Sequence, residues 1–153
     1  MSAATKNNEE DRVGDVGWLE RVEHTADEGV VVHAGGLREL FERAAWGMFA
    51  CIADMERVRP HREVPVAVDA ADREALLVQW LSELNRIHQT DGMLFCEFSV
   101  SELDDHRLRA AVRGEPMDPR RHDLFLEIKG VTYHGLAIEE TSGGWTARIL
   151  FDV

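Results

Sequence analysis

LRELFERAAWGMFACIAD, residues 37–54, repeats its apolar side chains at helical spacing. Leu37, Leu40, Phe41, Ala44, Ala45, Met48, Phe49 and Ile52 fall on one stripe, and Arg38, Glu39, Glu42 and Arg43 lie off it. Residues three and four apart share a helix face, so the stretch predicts an amphipathic helix with one buried side. Gly35-Gly36 closes the segment before it. A second stretch, DREALLVQWLSELNRIHQ, residues 72–89, repeats the pattern through Leu76, Leu77, Trp80, Leu81, Leu84 and Ile87. Asp69 or Asp72 is the candidate cap at its start, and Asp91-Gly92 is its stop signal.

Outside these helices the pattern changes to a period of two. Residues 30–33 form a short apolar run. Val64, Val66 and Val68 alternate, and Pro65 among them predicts an edge or strand-start position. Leu94, Cys96, Phe98 and Val100 alternate with Phe95, Glu97, Ser99 and Ser101, and Asp104-Asp105 predicts a hairpin turn into residues 107–113. Leu124, Leu126 and Ile128 read as the start of a further strand, continued by Leu136 and Ile138. A turn at Thr141-Ser142-Gly143-Gly144 leads to a last strand with Trp145, Ala147, Ile149 and Phe151 on one face and Asp152 on the other. Two amphipathic helices packed on an antiparallel-rich mixed sheet give an α+β class.

The length of 153 residues suits one domain, which would bury roughly 68–70% of the surface its unfolded chain exposes. Residues 1–16 read as a disordered leader and residues 17–153 as a single folded unit. With 29 acidic against 17 basic groups the formal net charge is -12. Generic nucleic-acid binding needs clustered Lys and Arg, so this balance disfavours it. The same balance disfavours anionic membranes. Lys6 and Lys129 are the two lysines, and only Lys129 falls inside the expected fold. Cys51 and Cys96 match no zinc spacing and read as buried thiols. The N-terminus carries no basic-then-apolar signal pattern, which predicts a cytoplasmic protein.

Three constellations are candidates for chemistry. His24-Thr25-Ala26-Asp27-Glu28-Gly29 is a polar knot beside a strand, and reads either as a functional loop or as a tight turn. Asp152 and Val153 end the chain, so a strand running to the last residue would set a side-chain carboxylate beside the terminal one. With Asp27 these make three anionic oxygen donors, a group suited to a hard cation; the plainer reading is a solvated acid at a strand end. Residues 114–122, GEPMDPRRH, and 129–135, KGVTYHG, form the third. Lys129 is a candidate contact for a phosphate or an acidic partner, or an ordinary exposed lysine. His122 and His134 are metal-ligand candidates together with His24, or satisfied polar histidines. The phosphate-binding loop, the strand-linked GxGxxG, HExxH and GxSxG are all absent, so a nucleotide-consuming enzyme is unsupported.

Taken in order, HTAD at 24–27, the 37–54 helix, LLVQWLSELNRIHQTDGMLF at 76–95, GEPMDPRRH, KGVTYHG and the terminal ILFDV resemble the archease family. The resemblance covers about residues 17–153. Gly130 departs from the alanine expected after the lysine, and Glu28 stands where an aliphatic residue is more usual.

The resemblance implies one strand-helix-strand-strand unit inserted into another. It also implies an accessory protein, not an enzyme, that serves an RtcB-type RNA ligase in tRNA splicing and RNA repair. That ligase uses GTP and divalent metal to guanylylate itself, and the accessory protein promotes this step and multiple turnover. RNA is then met only through the ligase. The family's metal site maps onto Asp27, Asp152 and the Val153 carboxylate, with Ca, Mg or Mn as the ion. The family's functional lysine maps onto Lys129, as a contact to the ligase or its nucleotide. His24, Glu28, His122 and His134 are supporting candidates. The competing classes are a general chaperone or interaction module and a stand-alone metal-dependent hydrolase.

Overall fold

A computed structural model describes residues 16–23 and 27–153. The leader expected over residues 1–16 lies outside the described residues apart from Val16, and so do His24, Thr25 and Ala26. The elements are β1 (Leu19–Glu23), β2 (Asp27–Ala34), α1 (Leu37–Ile52), a 3-10 turn (Met55–Arg57), β3 (Arg62–Asp69), α2 (Arg73–Asp91), β4 (Met93–Leu103), β5 (Arg107–Pro116), β6 (Gly130–Thr141) and β7 (Gly144–Asp152).

Both helices follow their stripes. Leu40, Phe41, Ala44, Ala45, Met48, Phe49 and Ile52 of α1 are excluded from solvent, as are Leu76, Leu77, Trp80, Leu81 and Leu84 of α2. Asp72 caps α2 by accepting the Ala75 amide N–H at 2.8 Å, and Gly92 ends it in the left-handed region at φ 69°. The helices are joined through Trp80, whose indole N–H donates to the Phe41 carbonyl at 2.9 Å. Full burial of a large apolar side chain stabilises by about 1.5–3 kcal/mol, so these two stripes dominate the core.

The strands form two sheets, ordered β1-β2-β7-β6 and β3-β5-β4, and each described pairing is antiparallel. A strand-helix-strand connection makes β2 parallel to β6 and β3 parallel to β4. In both cases the last strand of the unit slots between them and runs against both. The element order therefore contains β3-α2-β4-β5 inserted within β2-α1-β6-β7, and the two units share the sheet order first, last, middle. The α+β class and the nesting expected above both hold. Pro65 sits on β3, an edge strand, where its missing N–H leaves no ladder bond unmade.

One strand expectation fails. Leu124, Leu126 and Ile128 do not begin a strand, since β6 starts only at Gly130. Residues 117–129 instead form a strap across the helix ends. The Phe125 amide donates to the Ile52 carbonyl at 2.7 Å, and Leu124 makes an isolated bridge with Ala53. The last carbonyls of a helix lack internal partners. The strap satisfies one of them at α1, and this use of its backbone replaces pairing in a sheet.

Candidate functional site

The host sheet decides which motifs meet. Along β2 and β7 the register pairs Asp27 with Asp152, Gly29 with Leu150 and Val31 with Arg148, while Val30, Ile149 and Phe151 face the core. Strand β2 starts where β7 ends, and β6 starts beside them with Gly130 opposite Asp152. Three motifs distant in sequence thus converge at one end of the sheet. The Lys129 amide donates to the Asp152 carbonyl at 2.7 Å, extending the ladder one residue beyond β6. Lys129, Asp152 and Val153 are exposed. The side chain of Asp27 lies outside those described. Carboxylate oxygens on adjacent paired positions are the donor type that hard cations take. Among the described residues no three His, Cys, Asp or Glu side chains gather into a cation cage.

The KGVTYHG motif is shaped by a large bulge. Between Thr132 and Ala137 β6 advances five residues, while β7 moves only from Leu150 to Arg148. The Thr132 hydroxyl accepts the His134 amide N–H at 3.0 Å, and Gly135 takes φ 70°. A Cβ at Gly135 would meet Leu150 Cδ1 at 2.9 Å, so the bulge folds back over the sheet at a position that needs glycine. Tyr133 and His134 are left exposed on it. Among the described residues the exposed large apolar side chains are Leu124 on the strap, Tyr133 and Val153.

The remaining candidates have other engagements. Glu28 is held by Arg21 Nη2 at 2.8 Å across β1 and β2. His122 is buried with both ring nitrogens in use. Its Nδ1 accepts the Asp118 amide N–H at 2.9 Å, and its Nε2 contacts Glu115 at 3.0 Å. With Nδ1 taking a backbone N–H and Nε2 set against Glu115 and Arg121, both ring nitrogens are engaged and neither is free for a cation. Glu115 also takes the Arg59 amide at 2.8 Å and both Arg121 guanidinium nitrogens, at 3.0 and 2.6 Å. Burial pushes the Glu115 carboxyl up, but the Arg59 amide, His122 and Arg121 outweigh it and hold the group below its ordinary value. The network anchors the beginning of the strap. Asp118 is lowered by the Arg120 amide and then by its guanidinium.

Cys51 is buried and Cys96 partly so. Burial, then the charges of Glu97 and Glu115, push the Cys96 thiol up to about 11, which keeps it protonated and unreactive at neutral pH. Sequence reasoning missed three polar residues. Glu115 lies within the GEPMDPRRH stretch, where nothing in the local sequence marks its carboxylate as buried. Asn85 and Gln89 on α2 both donate to the Ile128 carbonyl, at 2.8 and 2.6 Å. The available signal was Asn85 itself, a polar residue set among the apolar stripe positions of α2.

Residues 19–153 match the archease protein family. The chain belongs to the archease family. It is 39% identical to the archease of Methanopyrus kandleri over 137 residues, 88% of this chain and 98% of that protein. It is 38% identical to the archease of Methanosarcina mazei over 138 residues, 88% and 94% of the two chains. The solution structure of Methanobacterium thermoautotrophicum protein 1598 superposes with a TM-score of 0.76 at 33% identity, covering 90% of this archease and all of that chain. The α+β fold is thus one already seen in a solved structure. No helix of the described archease residues is long and apolar enough to cross a membrane.

Proposed function

We propose that this archease is an accessory factor of an RtcB-type RNA ligase that promotes the ligase's guanylylation and repeated turnover in tRNA splicing and RNA repair. In this reading Asp27, Asp152 and the Val153 carboxylate hold a divalent cation (Ca, Mg or Mn), and Lys129 contacts the ligase or its nucleotide. The observation that carries it is the convergence of β2, β6 and β7, in a member of this family, with Asp27 opposite Asp152 and the Lys129 amide on the Asp152 carbonyl. The cation, when bound, would supply positive charge to a transferring phosphoryl group. The chain's own part is to hold the two carboxylates at fixed ladder positions and to present the Lys129 ammonium beside them. Val153 at this end and Tyr133 on the β6 bulge are exposed apolar side chains that a protein partner could cover. A net charge of -12 suits a factor that leaves the gripping of RNA to its partner.

The test is a guanylylation assay with the cognate ligase, GTP and metal. Asp152→Ala is expected to abolish stimulation while leaving the protein folded; undiminished stimulation would refute the reading. Adding one residue after Val153 moves the terminal carboxylate and changes no side chain. Equal metal binding and equal stimulation by that extended protein would remove Val153 from the site.

A further inference from the structure

The peptide unit between Ile128 and Lys129 is gripped on both sides. Its carbonyl accepts from Asn85 Nδ2 at 2.8 Å and from Gln89 Nε2 at 2.6 Å. Its N–H donates to the Asp152 carbonyl at 2.7 Å. A trans peptide is planar, with its C=O and N–H pointing in opposite directions, so fixing the carbonyl fixes the line along which the N–H points. Asn85 and Gln89 stand one helical turn apart on α2, and α2 belongs to the inserted unit. Asp152 and Lys129 belong to the host unit. One peptide plane therefore carries the position of the inserted helix to the end of β7.

Two features mark this as more than routine packing. A carbonyl can only accept, so both amides must aim their NH2 groups at it, and two donors serve one acceptor. Asn85 is 5% exposed, and its Oδ1 has no hydrogen-bond partner among the described residues. A buried amide oxygen left unpaired works against folding. A leucine would carry no amide oxygen to leave unpaired, so burial of a side chain at this position does not by itself call for asparagine.

We propose that Asn85, seconded by Gln89, is a positioning residue: through the Ile128–Lys129 peptide it sets where Lys129 and Asp152 stand for the cation and partner chemistry proposed above. The role rests on that reading. Donation to the carbonyl polarises the peptide and strengthens its N–H bond to Asp152, as linked hydrogen bonds do. Gln89 lies at the surface, where water replaces a lost donor, so the buried Asn85 is the dominant contact.

The experiment compares the full-length protein with Asn85→Leu, Gln89→Leu and the double variant. Amide hydrogen exchange read by NMR reports the tether directly. Lys129 N–H exchange is expected to rise by about tenfold in the double variant, less in Gln89→Leu than in Asn85→Leu, with the β2–β7 ladder amides unchanged. The melting temperature of Asn85→Leu is expected at or above that of the unmodified protein. Calorimetric titration with Ca2+, Mg2+ and Mn2+ is expected to show weaker binding in the same order. Unchanged Lys129 exchange would overturn the tether. Faster exchange with undiminished cation binding would overturn the positioning role. An unmodified protein that takes up none of the three ions would overturn the cation reading, and the positioning role with it, while the exchange arm still reports on the tether separately.

Discussion

Replacing Glu115 by glutamine tests whether a buried carboxylate holds the strap that leads to Lys129. Glutamine keeps the shape and removes the charge. In the native network Oε2 takes three donors, the Arg59 amide, Arg121 Nη2 and His122 Nε2, and Oε1 takes Arg121 Nη1. A glutamine amide can keep its oxygen toward the three donors, but its NH2 then faces Arg121 Nη1, and the bidentate pair is broken. A hydrogen bond to a charged group is worth about 1.5–3 kcal/mol net. The Arg121 side chain is 33% exposed, so its share is discounted for solvent, while the His122 side chain is fully buried. The expected loss at pH 7 is therefore about 2 kcal/mol, or about 4–8 °C in Tm for a chain of this size. The carboxyl is held below its ordinary value of 4.5, so its contribution is complete above that pH and disappears as pH falls through the lowered value. Glutamine does not titrate. Urea denaturation at pH 7, 5 and 3.5 is thus expected to show the gap between the two proteins full at pH 7 and closing at the acid end. Glu83, Asp104 and Asp118 are also lowered, but they are common to both proteins and cancel in the difference. A gap that stays the same at every pH, or no gap at pH 7, would refute the assignment of the network's strength to the Glu115 charge.

Gly135→Ala sets a Cβ 2.9 Å from Leu150 Cδ1 at a positive φ, and is expected to lower stability by about 1–2 kcal/mol, read by urea denaturation. Because the bulge carries Tyr133 and His134, the same variant is also expected to weaken ligase stimulation. Trp80→Phe removes the indole donor from the Phe41 carbonyl and is expected to cost about 1–3 kcal/mol, checked by the shift in the urea midpoint. Cys96, with its thiol near 11, is expected to react with a disulfide reagent at pH 7.5 far more slowly than a free thiol, followed by absorbance; fast modification of the folded protein would refute that value.

The helices were legible because burial acts on them directly. Phe41, Met48, Phe49, Trp80 and Leu84 must leave water, and only one helical face can take them there. The last strand was legible for the same reason on its inward face, where Ala147, Ile149 and Phe151 are excluded from solvent; Leu150 on the opposite face is buried as well, beside Gly135 of the bulge. The strap was not. Leu124, Leu126 and Ile128 alternate as a strand would, yet Leu124 is 48% exposed and Ile128 only 1%. What fixes this segment is a free helix-end carbonyl at Ile52 and two amides at Asn85 and Gln89, groups whose meeting depends on tertiary placement. The bulge was hidden likewise. Gly135 marks a break, but only the register of β7 tells how many residues loop out.

The meeting of Asp27 and Asp152 follows from topology rather than from either local sequence. A strand-helix-strand-strand unit whose last strand returns beside its first must bring the start of the first to the end of the last. Asp27 begins β2 and Asp152 ends β7, so closing the host unit is sufficient to pair them. The inserted unit obeys the same rule: Arg62, which begins β3, pairs with Gly114, close to the end of β5 at Pro116. The same architecture thus sets an acid pair at one closure and an arginine–glycine pair at the other. The fold supplies the convergence, and residue identity decides which of the two closures can be a cation site.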